Sequence, residues 1–262
     1  QETFDRIAGI PGVRLRSLAW RSSYRVQVRM VDQLQVGRVF LAGDAAHVHP
    51  IAGGLGMNSG IQDAYNLGWK LGLVLAGHAM SGLLATYEEE RLPIASWLLD
   101  ITSERLNAVL DAIKNTGGGV DAAATPELTQ LMLGYPWSRL SRHTANRSTG
   151  PRPGDRAPDA PLIDAVTGSP IRLFDLFRGP HFTLLGLGER CAPVFANAAF
   201  GDVEKDMIKP YLVGTRGLLD DDGHAARAYG TDALILVRPD GYIGLIADPA
   251  EAETVAGYLR SL

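Results

Sequence analysis

The chain has 262 residues, 46% of them hydrophobic and 21% charged, with a formal net charge of −4. That length holds one large domain or two ordinary ones, and the mixed charge leaves no basic footprint for nucleic acid. No apolar run approaches the roughly 18 residues of a membrane span, so no membrane partner is expected.

The chain opens at Gln1 without an initiator methionine or a signal-like segment, which reads as a processed or truncated chain. Residues 20–30, WRSSYRVQVRM, alternate: Trp20, Tyr24, Val26, Val28 and Met30 share one face, as a half-buried strand requires. RVFLAG, Arg38 to Gly43, is a short apolar run expected as a buried strand of a parallel or mixed sheet. A glycine-rich loop follows, and then a helix from about Ser59, where Ser59 and Gln62 fit a capping box. Ala64, Gly68 and Gly72 recur every four residues and predict a bare stripe facing a close neighbour. Further helices are expected around 81–90, 92–114 and 125–133, with Pro93 marking a start.

From Gly134 to Gly154 the chain reads GYPWSRLSRHTANRSTGPRPG, the composition of an interdomain linker. Beyond it come a strand in HFTLLGLG, a helix near 192–199, a strand in IKPYLVG and a small helix in HAARAYG. ALILVRPDGYIGLIAD reads as a hairpin turning at Arg238-Pro239-Asp240-Gly241, before a last helix over 249–261. This order describes a compact α/β unit of about 110 residues. Cys191 is the one cysteine, which excludes a disulfide framework and points to a reducing, cytoplasmic setting.

The loop carries the chemistry. Asp44 follows a strand candidate and a glycine, which puts its carboxylate where ligands of open α/β sheets gather. A carboxylate there suits the hydroxyls of a sugar or polyol better than phosphate. Gly53, Gly54 and Gly56 let backbone approach a flat ligand without Cβ interference. Their amides, with those of Met57 and Asn58, converge at a helix N-terminus that favours an anion or developing negative charge. On the residues alone, a tight strand-to-helix connection stands as an open alternative. His47 and His49 beside Asp44 raise the question of a metal, but on such a turn they read as hydrogen-bond partners; no metal is expected.

GRVFLAGDAAHVHPIAGGLGMNSGIQDAYNLGWKL resembles the second FAD-binding motif of the flavin-dependent aromatic hydroxylases. These are the single-component monooxygenases related to p-hydroxybenzoate hydroxylase, phenol hydroxylase and the polyketide-modifying hydroxylases. GDAAH, GGxGxN and DAxNLxWKL carry the likeness, which spans residues about 15 to 115; YEEERLPIA, Tyr87 to Ala95, resembles the family's next helix pair. The resemblance implies FAD as cofactor, with NAD(P)H as reductant. It places Gly43 and Asp44 at the ribityl chain, and the backbone of Gly53, Gly54, Leu55, Gly56, Met57 and Asn58 at the pyrimidine edge of the ring. Pro50 would belong to the flavin-side catalytic loop, where the family's usual proline is replaced by Ile51 one residue later. Trp20, Tyr24 and Val26 are candidates for the substrate pocket, a core-facing role being the alternative. The implied reaction hydroxylates a phenolic or polycyclic, polyketide-like aromatic through a flavin C4a-hydroperoxide.

The segment from about Arg152 resembles the thioredoxin-like domain appended to many of these hydroxylases. With no Cys-x-x-Cys turn, Cys191 is expected to be structural rather than the centre of a thiol peroxidase, and the domain to serve packing or homo-oligomer formation. The expected fold class is α/β: the tail of an FAD-binding and substrate-domain hydroxylase fold, lacking its N-terminal dinucleotide-binding unit, plus the thioredoxin-like domain. Residues 1–36 would end the substrate-binding domain, 37–133 the FAD-binding domain, 134–153 form the linker and 154–262 the last domain. The missing N-terminal half is then the expected partner, and this chain alone is expected to be inactive. The alternative is a non-catalytic interaction or oligomerisation remnant that no longer binds flavin.

Overall fold

The computed structural model describes residues 1–17, 19–20, 22–23, 25, 27–50, 54–116, 129–144, 150–196 and 206–262. After α1 (Glu2–Ala8), the N-terminal region contributes β1 (Arg29–Met30), β2 (Gln35–Val36), β3 (Val39–Phe40) and β4 (His47–Val48). Two long helices, α2 (Leu55–Leu75) and α3 (Ala85–Thr116), are joined through a 3-10 turn at Ser81–Leu84. Next come β5 (Arg142–His143), β6 (Pro161–Asp164), β7 (Pro170–Arg172), α4 (Leu173–Leu176), β8 (Phe182–Leu187) and α5 (Ala192–Ala196). β9 (Ile208–Gly214), β10 (Leu218–Leu219), α6 (His224–Tyr229), β11 (Ala233–Val237), β12 (Ile243–Ala247) and α7 (Glu253–Arg260) complete the chain.

The later strands form one eight-stranded sheet, ordered β5-β12-β11-β8-β9-β10-β6-β7. β8 and β9 pair in parallel, while β11 lies antiparallel to both β8 and β12. The period of two sorts the side chains. Phe182, Leu184, Leu234 and Leu236 pack on one face with Val255, Tyr258 and Leu259 of α7. Leu185, Leu187, Ile235 and Val237 pack on the other, against Leu173, Leu176, Ala225 and Tyr229. Both faces are covered, so the central strands are buried throughout, as their unbroken apolar runs require. The expected hairpin and closing helix are present as β11, β12 and α7.

Trp69 and Leu73 of α2 belong to the first of these cores, with the Trp69 ring edge-on to Phe182 at 5.7 Å. The helices and the sheet therefore share apolar packing, and residues 134–144, in the expected linker, pack against both; residues 145–149 lie outside the described set. Tyr135, Ser138 and Leu140 are buried, and Arg142–His143 joins the sheet beside β12.

One cation fastens this seam. Arg238, in the β11–β12 turn and fully buried, donates to both Glu90 oxygens (2.6 and 3.0 Å) and to both Asp240 oxygens (3.0 and 2.5 Å). Glu90 also accepts from Lys70 Nζ (2.8 Å), Asn66 Nδ2 (2.7 Å) and Ser138 Oγ (2.6 Å), and Trp69 Nε1 donates to Asp240 (2.9 Å). The rings of Trp69, Tyr135 and Tyr242 surround the guanidinium at 5.3 to 5.8 Å. A charge this far from water persists only when paired and hydrogen-bonded, and every element at the seam supplies part of that pairing.

Several elements differ from expectation. Among the described residues of 20–30 the strand is limited to the two-residue β1, and Trp20 is 79% exposed; alternation makes a strand only where backbone groups find partners. Tyr24 and Val26 lie outside the described residues. RVFLAG is not a buried sheet strand: β3 pairs with β2 in a two-stranded hairpin, and Val39 is exposed. Helix α2 begins at Leu55, four residues earlier than expected, after Gly54 at a left-handed φ of 64°. Ser59 is thus an interior, buried residue and no cap. Ala64, Gly68 and Gly72 are exposed and face no neighbour among the described residues. The expected helices over 81–90 and 92–114 are a single helix, α3, with Pro93 inside it. A helical proline leaves the carbonyl four residues back without its amide partner. Here Trp137 Nε1 donates to that carbonyl, Glu89 O, at 2.8 Å. Of the expected helix at 125–133, residues up to 128 lie outside the described set, and 129–133 form turns.

Glu90 is the pivot of the seam. Burial raises its carboxyl pKa, but Arg238 and Lys70 outweigh that and hold it below the ordinary carboxylate range. As pH falls, the unfolded chain takes up this proton first. The contribution of Glu90 is therefore complete above about pH 5 and is lost as pH drops through the depressed value. Glu90→Gln removes the charge that Lys70 and Arg238 share and is expected to cost about 3 kcal/mol at pH 7, read as a lower urea midpoint. The variant's midpoint should also fall less steeply than the wild type's between pH 5 and pH 3. Equal midpoints at pH 7, or parallel acid slopes, would contradict this account.

Candidate functional site

The loop before α2 is built around one buried carboxylate. Ser59, Asp63, Asn66 and Lys70 lie on a single face of α2 at helical spacing, and all four are buried. Asp63 accepts from the Gly43 amide (3.0 Å), from His47 Nε2 (2.6 Å) and from Arg91 Nε (2.7 Å). Burial raises its pKa, but the His47 hydrogen bond and the Arg91 charge prevail, and it lies below the usual value. Arg91, itself buried on α3, also donates to Tyr135 Oη (3.0 Å), Gln62 Oε1 (3.3 Å) and Ser59 (3.2 and 3.3 Å). The second α2 turn therefore holds the loop through ionic hydrogen bonds rather than through apolar contact.

These contacts set the position of the sequence-predicted residues. Gly43 opens a 3-10 turn, Gly43–Ala45, at a φ of 59°, and its Cα approaches Gly60 so closely that a Cβ on Gly60 would stand 3.1 Å away. Asp44 sits on that turn with its side chain exposed. Gly54, Met57 and Asn58 are also exposed, while Leu55 turns its side chain into a cluster with Ile94, Leu98 and Tyr135. Leu55 can therefore offer a ligand its backbone only. The N-cap is Gly54, and no side chain among the described residues caps α2, so the first-turn amides of this 21-residue helix remain open to a ligand. Pro50 is buried at the end of the loop. Gly53 lies outside the described residues. Gly43, Asp44 and the start of α2 are thus held together by Asp63, whereas Trp20 stands exposed on the N-terminal segment.

The two histidines have defined partners. Because ionised Asp63 can only accept, His47 Nε2 carries the hydrogen; a neutral His47 then accepts at Nδ1 from His49 Nε2, 2.9 Å away. His49, its pKa lowered by burial and by His47, packs beneath Gly56. Cys191 is buried, hydrogen-bonds the Leu187 and Ala233 carbonyls, and has its thiol pushed up to about 11 by burial. That is the environment of an inert structural thiol.

Asp63, Arg91, Glu90 and Arg238 escaped sequence reasoning as organising residues. The available signal was the spacing of the polar residues in DAxNLxWKL, which puts them on one stripe of an otherwise apolar helix.

Comparison with known proteins follows these two regions. Residues 1–102 match the family described as FAD binding domain, and residues 150–262 match aromatic-ring hydroxylase, C-terminal. A flavin-dependent monooxygenase of Mycobacteroides abscessus is 42% identical over 252 residues, 96% of this chain and 46% of the relative. The 6-methylpretetramide 4-monooxygenase of Streptomyces rimosus is 53% identical over 274 residues, 93% of this chain and 47% of the relative. A solved ternary complex of aklavinone-11 hydroxylase with FAD and aklavinone is similar at a TM-score of 0.71 and 30% identity, covering 91% of this chain and 46% of that one. The chain spans about half the length of the relatives it matches. With the FAD-binding match over the loop and helix and the hydroxylase C-terminal match over the sheet behind them, both regions of this chain are similar to those of flavin-dependent aromatic-ring hydroxylases.

Proposed function

We propose that this chain supplies part of the flavin site and the supporting sheet of an FAD-dependent monooxygenase that hydroxylates a phenolic or polycyclic aromatic compound at the expense of NAD(P)H. One observation carries the reading: Asp44 and the uncapped start of α2 are exposed together, on a loop that Asp63 holds from beneath. The residues present fit FAD. An exposed carboxylate suits the hydroxyls of the ribityl chain. Glycine at 54 and 56 leaves room for a flat ring, and open helix amides suit negative charge on it.

When bound and reduced, FAD supplies the activated oxygen. The tasks of the chain are then positional. Asp44 accepts ribityl hydroxyls, the amides of Gly56, Met57 and Asn58 hold the anionic edge of the ring, and Pro50 stiffens the loop on the ring's side. The aromatic substrate class takes its support from relatives named for 6-methylpretetramide and aklavinone. The parallel β8–β9 pair flanked by antiparallel β11 and β12, with α7 across them, supports reading 154–262 as thioredoxin-like. A buried, protonated Cys191 agrees with a reducing, cytoplasmic setting.

FAD titrated into wild type and Asp44→Ala, followed by quenching of flavin fluorescence, tests the central role. Loss of a charged acceptor is expected to weaken binding about tenfold, with no change in thermal midpoint because Asp44 is exposed. Equal affinities would remove Asp44 from the site.

A further inference from the structure

A second concavity, of about 550 Å³, opens where α3 passes residues 130–137. Its walls include Trp97 and Ile94 of α3 together with Met132, Leu133 and Trp137, and Gln130 is also part of the lining. Trp97, Met132 and Trp137 are 36%, 88% and 47% exposed, an aromatic and thioether surface open to solvent. The Trp137 ring is fixed in place, because its Nε1 is committed to the Glu89 carbonyl.

Gln130 is the unusual member. It is 4% exposed and holds a left-handed φ of 55°, a strained conformation for a residue with a Cβ. Its Oε1 accepts from Gln62 Nε2 at 2.7 Å, and Gln62 Oε1 accepts from Arg91 Nη1 at 3.3 Å. A guanidinium only donates, so Gln62 must turn its oxygen to Arg91 and its amide nitrogen to Gln130. Gln130 must then meet that nitrogen with its own oxygen. Its Nε2 is left as a buried donor with no hydrogen-bond partner among the described residues. An unmet buried donor is unfavourable, and a strained backbone adds to that.

We propose that this concavity is a binding site for a neutral, planar aromatic molecule carrying a carbonyl acceptor. The ring would lie between Trp97 and Trp137, with the carbonyl taking the hydrogen bond that Gln130 Nε2 lacks. Two observations favour a neutral ligand over an anion: Asp155 is part of the lining, and no lysine or arginine is among the described residues that line it. Its lining shares no residue with the Asp44 turn or the first turn of α2.

The test uses a matched pair, 9-fluorenone and fluorene, which differ in one carbonyl. Each is titrated into the protein and followed by tryptophan fluorescence and ligand-detected NMR. Fluorenone is expected to saturate and to bind about three- to tenfold tighter than fluorene, the worth of one neutral hydrogen bond. Gln130→Met should abolish that preference. Trp97→Leu, at a partly exposed position, should weaken both ligands and leave the thermal midpoint unchanged. Absence of saturation, or a carbonyl preference that survives Gln130→Met, would overturn the proposal. So would affinities indifferent to Trp97→Leu, which would place the probes elsewhere.

Discussion

A charge removed from water must find its opposite, and among the described residues this chain buries three of each sign in contact with one another. Asp63, Glu90 and Asp240 meet Lys70, Arg91 and Arg238, all of them at least nine-tenths buried. Neighbouring positions on α3 face two ways: Arg91 reaches Asp63 and the loop, while Glu90 reaches Arg238 and the sheet. Helix register alone separates them, since adjacent residues on a helix point about 100° apart. The loop, the helix pair and the sheet are thus tied into one electrostatic accounting. None of the three can shift without stranding an ion that costs several kcal/mol to leave unpaired.

This explains how a glycine-rich loop keeps a defined shape. The glycines permit close approach, as where Gly43 meets Gly60, but they contribute no side-chain packing that would fix it. Fixity comes from beneath, through the three donors on Asp63. Such an arrangement leaves the outer surface of the loop free for a ligand. Asp44 and the α2 amides are exposed because the restraints lie on the opposite side.

How far the sequence was legible follows from the same distinction. The hairpin at Arg238–Gly241 and the buried strands were readable, because turn chemistry and apolar runs are local signals. GDAAH and GGxGxN marked the loop. The start of α2 was misread because Gly54, in its left-handed conformation, sets the helix start, while Ser59 resembles a cap and instead serves Arg91. Pro93 looked like a helix start because nothing local reveals that Trp137, 44 residues later, satisfies the carbonyl it orphans. The role of residues 134–144 was hidden likewise: Arg, Ser and Pro suggest a linker, yet Ser138 and Tyr135 are partners of charges contributed by α3. What the sequence concealed was tertiary pairing between distant polar residues, to which periodicity is blind.

The most direct test of this account joins loop geometry to ligand binding in one variant, Asp63→Asn. The Gly43 amide and His47 both donate to Asp63 Oδ2 and Arg91 to Oδ1. An amide has one oxygen, and the guanidinium, which can only donate, takes it and leaves the Gly43 amide facing an –NH2 group. Hydrogen exchange at the Gly43 amide and FAD affinity would be measured on the same folded sample. The account predicts faster exchange at Gly43 and FAD binding weakened by about tenfold or more. Unchanged FAD affinity alongside an unprotected Gly43 amide would contradict it, because the loop would then hold its ligand without the carboxylate beneath.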